Sequence, residues 1–188
     1  RGLSRFHVPQ RLVINAIWDM PFFRGRGGAL EHILGGWTIS GIATFQSGRP
    51  FNVFSSAPYP RGDFNADGTN NDRPNIRTDK RGAMLDRSPA DGILDPNAFD
   101  TNFRGIGNLG RNVFLGPGYA NLDFAVYKNF RLTVLGEQGR LQFRAEMFNL
   151  PNRTNFQDPT GNLASTLFGK SNATFDSRRF QLALKLYF

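Results

Sequence analysis

The sequence predicts an all-β fold made of antiparallel transmembrane β-barrel strands, the C-terminal fragment of a large barrel with long extracellular loops. Apolar and polar residues alternate with a period of two in five separate segments, which indicates strands with one face in an apolar medium. Each segment has about the 9 to 11 residues that a tilted strand needs to cross a bilayer. Some of the connections between these segments are short and others are long, as in outer-membrane barrels.

The five predicted strands lie near residues 7–22, 35–54, 120–133, 140–150 and 178–188, within one domain over 1–188. The last strand shows the pattern most clearly, because its apolar residues fall on one parity: Phe180, Leu182, Leu184, Leu186 and Phe188. In the third strand Lys128 interrupts the apolar side. An antiparallel soluble sheet with one buried face produces the same alternation, so the alternation alone leaves that alternative open.

The connections between the predicted strands favour the barrel. The turn VLGEQG is short, whereas the predicted loops 55–119 and 151–177 are long. We therefore expect the short turn in the periplasm and the long loops outside the cell. On this scheme Phe188 lies at the periplasmic interface, and a chain that starts in mid-pattern is expected to be a fragment. The connection FRGRGGALEHILGG is also expected at the periplasmic end, with a turn at residues 24–28.

Composition limits the partners and the chemistry. The formal net charge is +8, but Lys and Arg are scattered along the chain without a basic stripe or a nucleic-acid-binding module, so no nucleic-acid partner is expected. The chain has no cysteine, which excludes disulfides and thiolate metal sites within it.

No catalytic motif is supported by its context, so an enzyme is not expected. GIGNLG at 105–110 matches the glycine pattern of dinucleotide sites, but no predicted strand precedes it and no helix follows it. Only His7 and His32 exist to serve as a general base. Asp123 and Glu146 are interpreted as members of cross-strand ion pairs on a wet surface, with the basic residues Arg131, Arg144 and Lys185.

The segment DFNADGTNND resembles the first half of a calcium loop, in which alternate side-chain oxygens converge on the ion and a glycine makes the turn. Pro74 stands where the bidentate glutamate belongs. One interpretation is a weak calcium site, and calcium is the one cofactor that the sequence suggests. The other interpretation is an exposed loop rich in turn-forming residues. The candidate calcium ligands are Asp63, Asn65, Asp67, Asn71 and Asp72.

Several segments, in this order, resemble the last barrel strands of TonB-dependent outer-membrane receptors, in particular the Oar-like receptors with a carboxypeptidase-regulatory-like domain: GGWTISGIATFQSGRPFNV, GNLGRNVFLGPGYANLDFAVYKNF, RLQFRAEMFNLPNRTNF and RRFQLALKLYF. The resemblance implies a parent barrel of about twenty-two strands, a plug and a TonB-contacting segment, neither of which these residues contain. It also implies an outer-membrane location and uptake of a bulky nutrient. The expected partners are outer-membrane lipid, the barrel-assembly machinery, TonB and an unknown nutrient.

The resemblance also implies a membrane-insertion signal in the last strand, formed by Gln181, Ala183, Leu186 and Phe188, with alanine where glycine is usual. Two alternative functions stay open. One is a plain porin or adhesin barrel, which needs no plug. The other is a secreted calcium-binding β-sandwich module.

Overall fold

A computed structural model describes residues 2–23, 25 and 28–188. The turn expected at 24–28 includes Arg24, Arg26 and Gly27, which lie outside the described residues. In chain order the strands are β1 (Arg11–Asp19), β2 (Trp37–Gln46), β3 (Pro50–Phe51), β4 (Asn75–Ile76), β5 (Phe99–Asp100), β6 (Phe114–Leu115), β7 (Tyr119–Arg131), β8 (Arg140–Phe148) and β9 (Arg179–Tyr187). A short helix, α1 (Gly28–Leu34), lies between β1 and β2. Within the described part of the chain, no helix has the length and apolar character needed to span a membrane.

The chain divides into two compact units. The sheet unit contains Leu12–Phe45, Ala120–Arg153 and Asp176–Phe188. The loop unit contains Arg1–Arg11, Gln46–Tyr119 and Thr154–Phe175.

The sheet unit is built on a five-stranded sheet with the order β1-β2-β7-β8-β9. Strand β8 pairs antiparallel with both β7 and β9. The connection between β7 and β8 is tight: Leu132 N donates to Gly139 O at 2.8 Å, and Gly136 has a φ of 97°, which an L side chain rarely adopts. The described sheet does not close on itself, so β1 and β9 form its edges. The predicted fold class is confirmed, as an open piece of an antiparallel sheet.

The pairing register brings residues of like polarity to the same face. Phe124 lies opposite Met147, and Phe143 lies opposite both Lys128 on β7 and Leu184 on β9. A slip of one residue would turn every side chain of a strand to the other face. Apart from Lys128, the register therefore creates one apolar face and one polar face across β7, β8 and β9.

The strand expected over 35–54 ends at Gln46. Its continuation forms β3, which leaves the large sheet and pairs with β6, so that Phe51 lies opposite Phe114. Between β2 and β3 the backbone at Gly48 passes close to that of Gly116. A Cβ on Gly48 would lie 1.7 Å from Gly116 O. The first strand is also shorter than the predicted 7–22, since β1 covers only Arg11–Asp19.

The segments predicted as long loops, 55–119 and 151–177, contain more structure than loops. Strand β4 pairs with β5, and aromatic rings pack edge to face at 5.9 Å between Phe99 and Phe114 and at 5.5 Å between Phe99 and Phe168. The buried apolar cluster of the loop unit comprises Phe51, Val53, Ala83, Ile93, Leu94, Ala98, Phe99, Leu109, Phe114 and Phe168. These residues follow no single period along the chain, which is why periodicity did not reveal them.

Candidate functional site

The polar face of β7, β8 and β9 carries charged and aromatic side chains. Arg144 and Glu146 form an ion pair at 2.7 Å, and the Arg144 guanidinium lies 5.5 Å from the centre of the Tyr127 ring. Gln142 Nε2 donates to Asn129 Oδ1 at 3.0 Å across the β7–β8 pair. This face is therefore polar and is held together by side-chain contacts, of which the ion pair contributes roughly 1 kcal/mol or less.

The interpretation of Asp123 and Glu146 as members of cross-strand ion pairs is corrected by these contacts. The partner of Glu146 is Arg144, two residues away on the same strand. Asp123 Oδ1 accepts hydrogen bonds from Asn149 N at 2.9 Å and from Asn121 Nδ2 at 2.8 Å. Side chains two residues apart on a strand lie on the same face, so the Glu146 carboxylate is within reach of Arg144. Asp123 instead anchors the backbone where β8 ends.

The opposite face is apolar along all three strands, and its side chains are half-buried on β7 and β8 and exposed on β9. Leu184, for example, is 68% exposed. An apolar surface of this extent is not left in water by a monomeric soluble protein. Its members are Phe124, Val126, Phe130, Leu141, Phe143, Ala145, Met147, Phe180, Leu182, Leu184 and Leu186.

Lys128 is the exception on the apolar face. Its side chain is nevertheless buried, with 4% exposure. The ammonium donates a short hydrogen bond to Gly35 O, directly after α1, and a longer one, 3.5 Å, to Glu31 O in the last turn of α1. It also lies 5.1 Å from the centre of the Phe130 ring. The positive charge on the apolar face is thus covered by the carbonyl end of a helix, where the helix dipole is negative.

The candidate calcium loop uses its carboxylates to bind its own backbone. Asp63 is buried, and its two oxygens accept hydrogen bonds from Asp67 N and Gly68 N, both at 2.9 Å. Asp72 Oδ2 accepts from Phe64 N at 3.0 Å. These side chains hold the loop by accepting hydrogen bonds from its own backbone, as Asx turns do.

The other candidate ligands take part in the same network. Asn65 Nδ2 donates to Asp67 Oδ2 at 3.0 Å, and this bond, followed by the one from Thr69 N, lowers the pKa of the Asp67 carboxyl. Asn71 contributes its backbone N–H, which donates to Thr69 O at 2.9 Å. Among the described residues, no group of three or more His, Cys, Asp or Glu side chains is arranged to hold a metal ion. Calcium binding here stays a prediction.

The four residues of the predicted insertion signal are divided between the two faces. Gln181 lies opposite Glu146 and Ala183 opposite Arg144, on the polar face. Leu186 lies opposite Leu141 on the apolar face. Phe188 follows the end of β9 and is 92% exposed.

Sequence reasoning did not identify a cleft in the loop unit of about 550 Å³. Two segments distant in sequence meet beside it, because Asn162 donates to Ser56 Oγ at 2.7 Å and accepts from Ser56 N at 3.0 Å. No short-range sequence pattern predicts a contact between residues so far apart in the sequence. The cleft is lined by Ser55, Ser56, Ala57, Pro58, Arg61, Thr101, Leu163 and Ala164.

Comparison with protein families shows that a family described as "outer membrane beta barrel domain" matches residues 1–181. Neither the curated proteins nor the solved structures yielded a match. In such barrels the apolar face of the strands contacts lipid and the polar face lines the interior. The two faces of the β7–β9 sheet fit that arrangement.

Calcium should slow protease cleavage within residues 63–72 if the loop binds it, with roughly millimolar affinity. We expect the ratio of cleavage rates with and without calcium to return to one in the double variant Asp63→Asn, Asp67→Asn, which removes two anionic ligands. The variant Asp100→Asn serves as the control, because Asp100 lies on β5 and pairs with Arg77 instead. Equal cleavage rates for the wild-type loop with and without calcium would rule out the site.

Replacing Phe124 by Arg should destabilise the barrel by about 2 to 4 kcal/mol, because Phe124 lies near the middle of β7 on the lipid-facing side, where an arginine meets the bilayer midplane. The matched variant Gln142→Arg places the same side chain on the polar face and should be tolerated. Urea unfolding of the full-length protein in vesicles measures both. Equal stability of the two variants would contradict the assignment of the faces.

Proposed function

We propose that this chain, which belongs to the outer membrane beta barrel domain family, is the C-terminal barrel part of a TonB-dependent receptor that imports a bulky nutrient. Its location in the outer membrane follows from the family. The secreted β-sandwich module is excluded for the same reason, since a chain of this family resides in the membrane.

The observation that supports this proposal most strongly is the loop unit. A plain channel requires only loops that connect its strands, whereas here the segments between β2 and β7 and between β8 and β9 build a unit with its own apolar core. Folded segments of this size at the long-connection end of a barrel suit the capture of a ligand from outside the cell. The cleft beside Ser56 and Arg61 is a suitable first contact for a polar nutrient.

The polar face of the sheet unit fits a plugged barrel, as it also fits the water-filled interior of a porin. Hydrogen-bond donors and acceptors lie along this face of β7 and β8, on Asn129, Gln142, Arg144 and Glu146. A plug that fills a wide barrel must satisfy such groups by hydrogen bonding, and barrels of about twenty-two strands have plugged interiors. In this proposal the plug and the TonB-contacting segment lie outside these residues.

A plain porin is the alternative, and electrical conductance separates the two without knowledge of the nutrient. We expect the purified full-length protein to show no steady ion conductance in a planar lipid bilayer, because a plug blocks the interior. It should also bind the periplasmic domain of TonB in a pull-down. A stable open-channel conductance together with no TonB binding would establish the porin instead.

We further propose that β9 is the strand that the barrel-assembly machinery captures. An unpaired strand edge cannot remain in lipid, and β9 is an edge of the described sheet. Leu186 provides an apolar contact on the lipid side, and the exposed ring of Phe188 provides an interfacial anchor.

Replacing Phe188 by Ala should therefore reduce the amount of folded, heat-modifiable barrel in the outer membrane, while secretion to the periplasm is unchanged. Tyr187→Ala is the matched control, because Tyr187 is the preceding aromatic residue but lies on the polar face, with Arg140 4.3 Å from its ring centre. Equal amounts of folded barrel in wild type and Phe188→Ala, measured by gel mobility with and without heating, would refute the anchoring role.

A further inference from the structure

We propose that α1 is an interfacial membrane helix, which lies on the lipid side of the barrel in the phospholipid of the periplasmic leaflet and is tethered there by Lys128. The proposal depends on the membership of the outer membrane barrel family and on the two faces of the sheet. It does not depend on TonB or on uptake.

The position of Lys128 shows on which side of the sheet α1 lies. Lys128 is opposite Phe143 in the β7–β8 register, so its side chain leaves the sheet on the lipid-facing side. Its ammonium reaches Glu31 O and Gly35 O. On the same face the Trp37 ring meets the Phe143 ring edge to face at 6.1 Å. The C-terminal end of α1 therefore covers part of the lipid-facing surface.

The topology shows at which end of the sheet α1 lies. Met20 N donates to Trp37 O at 3.0 Å, which closes the β1–β2 hairpin around α1. Trp37 lies beside Lys128, with its ring centre 5.7 Å from Nζ, and Gly41 lies beside Phe124, so β2 and β7 run in opposite directions. Helix α1 is consequently at the same end as the tight β7–β8 turn. Short connections mark the periplasmic end of outer-membrane barrels.

Three carbonyl oxygens in and just after the last turn of α1 accept hydrogen bonds. Glu31 O accepts from Gly35 N at 2.9 Å, Ile33 O accepts from Trp37 Nε1 at 3.0 Å, and Gly35 O accepts from Lys128 Nζ. The last carbonyls of a helix have no partner within the helix and in water are commonly left to solvent. In an apolar medium each unsatisfied group costs several kcal/mol, and here two donors come from strand side chains.

The outer surface around α1 carries large apolar side chains and aromatic rings, together with the exposed imidazole of His32. Ile33 is 63% exposed and Leu34 is 44% exposed. Trp18 and Phe22 pack edge to face at 5.9 Å, and the chain contains only two tryptophans, Trp18 and Trp37. Tryptophan is enriched where a membrane meets water. Continuity with the lipid-facing wall and this composition together identify phospholipid as the occupant.

The depth of α1 can be measured with a fluorescent label. The chain contains no cysteine, so Ile33→Cys introduces the one thiol within it; cysteines elsewhere in the full-length protein are replaced first. The protein carries an NBD label and is reconstituted in phosphatidylcholine vesicles that contain a doxyl group near the headgroup or near the chain end. We expect stronger quenching by the headgroup-proximal doxyl. If neither lipid quenches the label, the proposal is wrong.

Two labelled controls calibrate the depth. Leu184→Cys, on the lipid-facing side of β9, should be quenched more by the doxyl near the chain end. Gln142→Cys, on the polar face, should be quenched by neither lipid. Leu34→Cys provides a second label on α1 if Ile33→Cys does not assemble, and the same pattern is expected from it.

The tether is tested separately with unlabelled protein. Lys128→Met removes the donor to Gly35 O and Glu31 O, so the amides of α1 should lose protection in hydrogen exchange. Val126→Met, two residues earlier on the same face of β7, should leave α1 protected. Unchanged protection of α1 in Lys128→Met would show that Lys128 does not hold the helix.

Discussion

The antiparallel register of β7, β8 and β9 is the constraint on which the rest of the sheet unit depends. Side chains alternate with a period of two, so the pairing of Phe124 with Met147 and of Phe143 with Leu184 assigns every neighbouring residue to a face. A slip of one residue in β8 would move the Arg144–Glu146 ion pair to the lipid side and bring Phe143 to the polar side. Both changes oppose insertion, so the membrane and the barrel interior select the same register.

The same constraint explains why Lys128 requires special surroundings. A lysine on the lipid-facing side is costly near the middle of the bilayer and much less so near its edge. Lys128 lies toward the turn end of β7, and its ammonium is hydrogen bonded to carbonyls of Glu31 and Gly35. The helix end and the charge thus satisfy each other: the helix gains a donor for its last carbonyls, and the ammonium gains acceptors that lipid does not provide.

The loop unit is stabilised by a different principle. Its core gathers aromatic and aliphatic residues from segments distant in sequence, and rings such as Phe99 contact Phe114 and Phe168 at edge-to-face distances. Its turns are held by side chains that accept backbone N–H groups, as Asp63 does for Asp67 and Gly68. The acidic residues of this loop therefore have a structural role whether or not calcium also binds, because their oxygens fix the turn by accepting its backbone N–H groups.

The sequence by itself determined the strands and their two faces, because alternation is a local property and a barrel strand in lipid has no other way to hide its polar side chains. A resemblance in the sequence predicted the outer-membrane class, and the family match shows it; the alternation alone also fits an antiparallel soluble sheet. Only the tertiary structure decided which residue meets which. The structure showed that Glu146 pairs with Arg144 on its own strand. Contacts between distant segments decided three other features: the covering of Lys128 by α1, the pairing of β3 outside the large sheet, and the core of the loop unit. Such contacts follow from packing in three dimensions, and short-range patterns do not encode them.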